Sequence, residues 1–131
     1  MERMFNWVSV AFGTVGGAFV YILGGWDRIL WALIMFIIFD YVTGIIKGIY
    51  TRTLSSEICF KGLLKKITIL VIIAVSNVLQ LITNDAIPIR EIVIMFYIAN
   101  EGISILENAA VLIPGMPQRL KDVLLQLRDS D

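Results

Sequence analysis

Four long apolar stretches constrain the fold of this chain more than any other feature. They occupy residues 8–26, 29–46, 67–83 and 92–113, and each is 17 to 22 residues long. As helices they would measure about 25–33 Å, close to a hydrocarbon core about 30 Å thick. Apolar residues make up 58% of the 131 residues, more than a small soluble globule can hide. We therefore predict an all-α membrane protein, a single domain over residues 1–131 with about four hydrophobic helices.

The first and the fourth stretches differ from the other two. The first lies between Trp7 and Trp26 and ends without a small-x-small cleavage site, so we expect it to be retained as a span. The fourth stretch carries two glutamates and other polar residues. Either it spans with its polar face turned to protein or water, or it lies in the interface and three helices span.

The basic residues predict the orientation in the membrane. The connection over residues 47–66 holds five lysines and arginines against the single acid Glu57, so the positive-inside rule places it in the cytoplasm. With four spans, both termini are then cytoplasmic as well. Of the eleven Lys and Arg residues, only Arg28 and Arg90 would lie outside. We predict a multi-pass membrane protein with both termini in the cytoplasm.

Two polar segments flank the last spans. Hydroxyl residues ahead of Glu57 predict a helix start near Ser55. After Pro114 and Pro117, the tail over residues 117–131 contains a short amphipathic helix, expected to rest on the membrane surface or on a neighbouring subunit. Its apolar side consists of Leu120, Val123, Leu124 and Leu127.

Small residues recur along the first stretch. Ser9, Gly13 and Gly17 are spaced by four, which puts them on one helix face and lets another helix approach closely. The pattern predicts either a self-association seam or packing within one subunit. Gly44 offers a similar close approach on the second stretch.

Polar residues inside the spans are the candidates for function. Asp40, Thr43, Gly44 and Lys47 share one stripe of the second helix, and an acid at this depth indicates a pore-lining or gating face more often than an internally paired structural charge. The fourth stretch has a polar face, and the third stretch offers two further polar partners. The predicted pore-lining or gating residues are Asp40, Thr43, Lys47, Ser76, Gln80, Asn100, Glu101, Ser104, Glu107 and Asn108.

Several classes of function are disfavoured. The chain has no His and a single cysteine, Cys59, so it lacks the usual metal ligands and general base, and we expect no metal and no cofactor. Phosphate-loop, nucleophile-elbow and zinc-protease motifs are missing, so we expect no enzyme. The balanced net charge argues against nucleic-acid binding.

A series of short blocks follows in order over roughly residues 20 to 128. They are Asp40-Tyr41-Val42-Thr43-Gly44, Leu54-Ser55-Ser56, Lys61-Gly62-Leu63-Leu64-Lys65-Lys66, Asn100-Glu101, Ser104-Ile105-Leu106-Glu107-Asn108 and the proline-bounded tail. In this order they resemble the phage-lysis and toxin-secretion holin family. The resemblance implies a homo-oligomer in the lipid bilayer of the bacterial plasma membrane. Its lesions would release a cell-wall hydrolase or a large toxin and dissipate the proton-motive force. The resemblance leaves open whether the chain is instead an antiholin that restrains a holin.

The sequence is compatible with two other functions. A small proton-coupled membrane transporter could use Asp40 or Glu101 as its substrate site, and a membrane adaptor could dock a soluble partner through its basic loop and tail. On the holin interpretation we expect Asp40, Lys47, Glu101 and Glu107 to be hidden in protein contacts before triggering and to face a lumen afterwards.

Overall fold

The computed structural model describes residues 1–115 and 117–129. Within these residues the chain forms five helices and no strand: α1 (Glu2–Ile22), α2 (Arg28–Thr51), α3 (Ser56–Ile82), α4 (Ile89–Leu112) and α5 (Gln118–Asp129). The predicted all-α fold is confirmed. The last two residues of the predicted tail, 130 and 131, lie outside the described residues.

The helices differ in how well they suit a membrane. Among the described helices, α1 and α2 are long and apolar enough to cross one, judged by length and composition. Helix α3 begins with Lys61, Lys65 and Lys66 in its first turns, and α4 carries charges at both its start and its middle. The prediction of four hydrophobic spans is therefore not confirmed by helix composition and stays a prediction.

The predicted cytoplasmic connection over residues 47–66 is largely helical. Helix α2 continues to Thr51 and α3 begins at Ser56, so the non-helical link within it is Arg52–Ser55. Both helices extend beyond the apolar stretches, because lysine, arginine and glutamate are good helix formers. Ser55 caps α3, its hydroxyl accepting a hydrogen bond from the Ile58 N–H at 3.1 Å, at the helix start that the sequence predicts.

Helices α2, α3 and α4 form the core of the fold. α2 and α4 run parallel, α3 runs antiparallel to both, and α4 packs more extensively on each of them than they pack on one another. Leu33, Ile73 and Ile94, one from each helix, are fully buried where the three meet. Leu23, Leu30 and Ile37 complete this core.

Helix α1 stands apart from this core. None of its residues is buried, and no side chain approaches the positions that a Cβ would take at Gly13 and Gly17. Its last turn reaches the bundle, where the Asn77 side-chain amide donates to the Ile22 carbonyl at 3.3 Å. The fold of the other helices therefore depends little on α1.

Helix α5 packs on α4 of its own chain, whereas the sequence predicted a position on the membrane surface or on a neighbouring subunit. Leu124 is buried above Gly102, where an added Cβ would lie 2.9 Å from a leucine methyl carbon. The amphipathic pattern identified the apolar face of α5 but carried no information on its partner. A glycine on α4 provides the notch into which the leucine fits.

Two neighbouring isoleucines of α3 differ in burial, and this difference predicts different effects on stability. Ile73 is fully buried, whereas Ile72 is 38% exposed. We expect Ile73→Ala to lower the free energy of unfolding by about 2–5 kcal/mol, because it leaves a cavity between the helices. Ile72→Ala is the matched control and should cost clearly less, both measured by denaturant titration in detergent micelles. Equal losses in the two variants would contradict this packing.

Candidate functional site: a buried charge cluster

Three charged side chains meet in the middle of the bundle. Asp40 of α2 and Glu101 of α4 are 7% and 3% exposed, and the Lys66 ammonium of α3 lies between them. It donates one hydrogen bond to Asp40 Oδ2 and another to Glu101 Oε2, the latter at 2.5 Å. We call Asp40, Lys66 and Glu101 the charge cluster. It joins all three core helices through a single ammonium group.

The spacing along each helix explains why these side chains meet. Asp40 follows the buried Leu33 by seven residues, Lys66 precedes the buried Ile73 by seven, and Glu101 follows the buried Ile94 by seven. Residues seven apart lie on the same helix face. Each member of the charge cluster therefore continues the face that its helix already turns toward the core.

Neutral polar groups surround Asp40. The Asn108 side-chain amide donates to Asp40 Oδ1 at 3.1 Å, to the Asp40 carbonyl at 3.3 Å and to Thr43 Oγ1 at 3.1 Å. Gly44 lies beside this amide, and a Cβ there would make an ordinary contact of 3.7 Å with the Asn108 amide nitrogen. The Asp40 carboxylate thus has partners on both oxygens, as burial of a charge requires.

A cavity of about 370 Å³ opens beside the cluster between α2, α3 and α4. Ser104 and Asn108 line it together with Asp40 and Lys66, and it extends toward the α2–α3 link. At its edge the Tyr41 hydroxyl donates to the Cys59 carbonyl at 3.3 Å. The cavity is large enough for water and is lined by polar groups, so a hydrated path can reach the charges from this end of the bundle.

The structure brings together part of the predicted pore-lining set and separates the rest. Asp40, Thr43, Glu101, Ser104 and Asn108 lie together around the cluster and its cavity. The other predicted residues lie elsewhere: Lys47 is half-buried nearer the α2–α3 link, Asn100 and Glu107 are exposed, and Ser76 and Gln80 lie toward the opposite end of the bundle.

The candidate residues predicted from the sequence do not include Lys66, because this lysine is assigned there to the cytoplasmic connection. A signal for it exists in the sequence. Lys66, Ile73 and Gln80 follow one another at intervals of seven, which places the lysine on the buried face of α3. Lys65, its neighbour, is exposed.

A second polar anchor holds the opposite end of the bundle. Arg90, predicted as an outside charge, is 3% exposed and donates to the Leu23 carbonyl at 2.6 Å, to the Gly25 carbonyl at 3.0 Å and to Asp27 Oδ2 at 2.8 Å. Its own backbone N–H donates to Gln80 Oε1 at 2.8 Å. The arginine therefore ties the α1–α2 connection and the end of α3 to the start of α4.

Glycine and aspartate in the α1–α2 connection make this anchor possible. Gly24 has a positive φ of 97°, and a Cβ there would overlap the Arg90 guanidinium. Asp27 caps α2 by accepting from the Leu30 N–H at 3.0 Å. The hydrogen bonds from Arg90 hold the pKa of Asp27 below its ordinary value, with the Leu30 N–H acting in the same direction against the opposing effect of partial burial.

No group of three or more acidic or cysteine side chains suited to hold a metal ion occurs in residues 1–115 and 117–129. The chemistry of the cluster is that of ion pairing and hydrogen bonding. When both carboxyls are ionised they outnumber the one ammonium, so the cluster holds a surplus negative charge inside the bundle.

Comparison with known proteins identifies the family. The sequence model of the bacteriophage holin family matches residues 17–129, and the chain belongs to this family. Among relatives, the uncharacterized 14.9 kDa protein in the nagH 3' region of Clostridium perfringens is 42% identical over 99% of each chain. Lmo0128 of Listeria monocytogenes is 38% identical over 95% of this chain and 87% of its own, and YqxH of Bacillus subtilis is 32% identical over 92% and 86%. No solved structure matches the chain.

Family membership establishes the general class of protein. The chain is a holin-type membrane protein, and holin families are in general non-enzymatic. The assignment to the holin family, inferred from the order of the sequence blocks, is thereby confirmed. The buried charge cluster lies within the matched region.

Removal of the central ammonium should be costly. Lys66→Met leaves two carboxyls buried without their shared partner, and we expect a loss of about 3–5 kcal/mol in the free energy of unfolding. Lys65→Met, a change of the same kind at the adjacent exposed position, should stay within about 0.5 kcal/mol of the wild type. Both values can be measured by denaturant titration in micelles. A stable Lys66→Met variant would show that the cluster contributes little to the fold.

The Asp27–Arg90 pair predicts a dependence of stability on pH. Because the pKa of Asp27 is lowered by folding, its contribution is complete above the unfolded value of about 3.9 and is lost as pH falls through the lower folded value. We expect the wild type to melt at a higher temperature than Asp27→Asn at pH 6, and the difference to shrink below about pH 4 as Asp27 is protonated. A difference that persists unchanged at pH 3 would contradict this account.

Proposed function

We propose that this chain is a holin that oligomerises in the bacterial plasma membrane and forms lesions. The lesions would release a cell-wall hydrolase or a large toxin and dissipate the proton-motive force. The observation that carries the proposal is the buried charge cluster between helices whose outer surfaces are apolar. Such a chain can lie in lipid with its charges paired, and the same charges can face water when helices from several copies rearrange.

The arrangement of the core helices supports a four-span topology with both termini in the cytoplasm. Arg28 and Arg90 lie at the same end of the bundle, where the parallel helices α2 and α4 begin, and the basic α2–α3 link lies at the other end. This distribution of charge follows the positive-inside rule. In this topology the charge cluster lies near the middle of the membrane, since Asp40 and Glu101 each lie half-way along a 24-residue helix.

The proposed gating group is narrower than the set that the sequence suggested. Asp40 and Glu101 are buried and paired, and Lys66 joins them in place of Lys47 and Glu107. We propose that breaking these ion pairs accompanies opening. Thr43, Ser104 and Asn108 would line the same path because they share the cavity or its hydrogen bonds.

The seam for self-association is proposed on α1. Ser9, Gly13 and Gly17 are exposed along a helix that buries no residue in its own chain, which favours contact with another copy over packing inside the subunit. We do not include Gly44 in this seam, since it packs against Asn108 within the chain.

The proposal is tested by induced expression in a bacterium that also carries a cytoplasmic cell-wall hydrolase. We expect a sudden loss of membrane potential followed by hydrolase-dependent lysis. Slow or absent depolarisation with the hydrolase retained would contradict a holin. Saturable uptake without lethality would instead indicate a proton-coupled transporter, and a stable complex without an ion leak would indicate an adaptor or an antiholin.

The role of the cluster is tested in the same assay with Glu101→Gln. The closed arrangement loses a charge-assisted hydrogen bond of about 1.5–3 kcal/mol and also loses the surplus negative charge of the cluster, whereas a side chain already facing water loses little. We therefore expect the time of depolarisation to differ from that of the wild type. Glu57→Gln, the same substitution in an exposed pair with Lys61, is the matched control and should leave the timing unchanged. Unchanged timing in both Glu101→Gln and Asp40→Asn would refute gating by the cluster.

A further inference from the structure

The C-terminal helix occupies an unexpected position for a segment so rich in charge. Helix α5 carries three basic and two acidic residues in twelve positions. It runs back along α4, with Gln118 and Lys121 beside Leu106 and Glu107 near one end and Arg128 beside Val93 and Phe96 near the other. It therefore covers much of the length of α4 rather than its end.

This position is incompatible with lipid around α5 if α4 spans the membrane. Leu124 then lies near mid-depth, since Gly102 adjoins Glu101 of the charge cluster. Arg119, Lys121 and Asp122 are exposed. Charged side chains at this depth are found against protein or water, not against hydrocarbon. The outer face of a docked α5 must therefore border an aqueous path or another protein surface.

The contact between α5 and α4 centres on Leu124 and is more extensive than the contact between α3 and α4. Leu124 is the buried residue of α5, and Gly102 and Phe36 form the notch that receives it. Leu120 and Val123 stay about half-exposed, so the docked helix leaves part of its apolar face uncovered. The connection from α4 passes through Pro114 and Gly115, the latter at a φ of 88°. Such a helix can leave its notch without disturbing the core formed by α2, α3 and α4.

We propose that α5 is a latch: docked in the Gly102 notch it covers the side of α4 that carries Val93, Gly102 and Leu106 and keeps the lesion closed, and its release is part of opening. This inference rests on the proposed holin function and adds a regulatory contact to it. The docked helix lies over the α4 face next to Glu101, so it also restricts the movement of α4 by which the charge cluster would come to face water.

The latch is tested by locking it with a disulfide. Gly102→Cys and Leu124→Cys together place two thiols in reach of one another, because the Leu124 methyl carbons lie 2.9 and 3.0 Å from the position of a Cβ on residue 102. In membranes of expressing cells treated with an oxidant, we expect both introduced thiols to become unreactive toward a maleimide under denaturing conditions. We also expect loss of depolarisation in the oxidised cells and its return after a membrane-permeant dithiol. The single variants control for pairing with Cys59.

Releasing the latch should have the opposite effect. Leu124→Asn removes the buried contact, and Val123→Asn is the matched control at an exposed position of the same helix. We expect earlier depolarisation with Leu124→Asn and wild-type timing with Val123→Asn. This arm does not depend on disulfide formation or on tolerance of a cysteine at Gly102.

The outcomes separate failure of the latch from failure of the proposed function. If the wild type depolarises cells and the locked protein does so equally early, or if no disulfide forms and Leu124→Asn keeps wild-type timing, the latch is refuted and the holin function stands. If the wild type does not depolarise cells at all, the proposed function fails and the latch fails with it.

Discussion

The Lys66 ammonium is the interaction on which the rest of the bundle depends. It is the point where α2, α3 and α4 are joined by charge, at the level where the apolar core of Leu33, Ile73 and Ile94 gives way to polar groups. An ammonium that reaches two carboxyls at once fixes the rotation and the axial position of all three helices. Apolar side chains tolerate small shifts along a helix axis, whereas hydrogen bonds between charged groups are lost within about an ångström. The cluster therefore specifies the register that the apolar residues stabilise.

Arg90 likewise joins several helices through one charged side chain, at the end of the bundle where α2 and α4 begin. Its guanidinium donates hydrogen bonds to carbonyls and a carboxylate of the α1–α2 connection. Its backbone N–H donates to the Gln80 side chain near the end of α3. The two polar anchors lie on either side of the apolar core and leave the outer helix surfaces apolar. This is the reverse of a soluble globule, in which polar groups face out. It explains how 58% apolar composition and a polar interior coexist in one small chain.

The sequence predicted the helices well because long apolar stretches and capping residues act locally. It also grouped Asp40 with Thr43 and Gly44, since residues on one stripe stay together in any helix. It did not predict that the Lys66 and Arg90 side chains turn into the bundle, because hydropathy treats a lysine or arginine beside an apolar stretch as a boundary charge. A long basic side chain can instead turn into the bundle when buried carboxyls are available there as ion-pair partners. The Leu124–Gly102 contact was beyond prediction for another reason: an amphipathic face defines what a helix buries but not the surface that receives it.

A buried charge cluster is an inefficient way to stabilise a fold, because the cost of dehydrating three charges offsets much of what their attraction supplies. The near balance between dehydration cost and attraction makes a buried charge cluster well suited to a chain that changes its conformational state. In an assembly with a water-filled centre, the dehydration cost is returned as the ion pairs separate, so the closed and open arrangements can differ little in free energy. An all-apolar core would lack this compensation and would favour the closed bundle strongly. The polar interior therefore weakens the closed state without disordering it, and the packing of one short helix, α5, against α4 is then enough to influence which state is occupied.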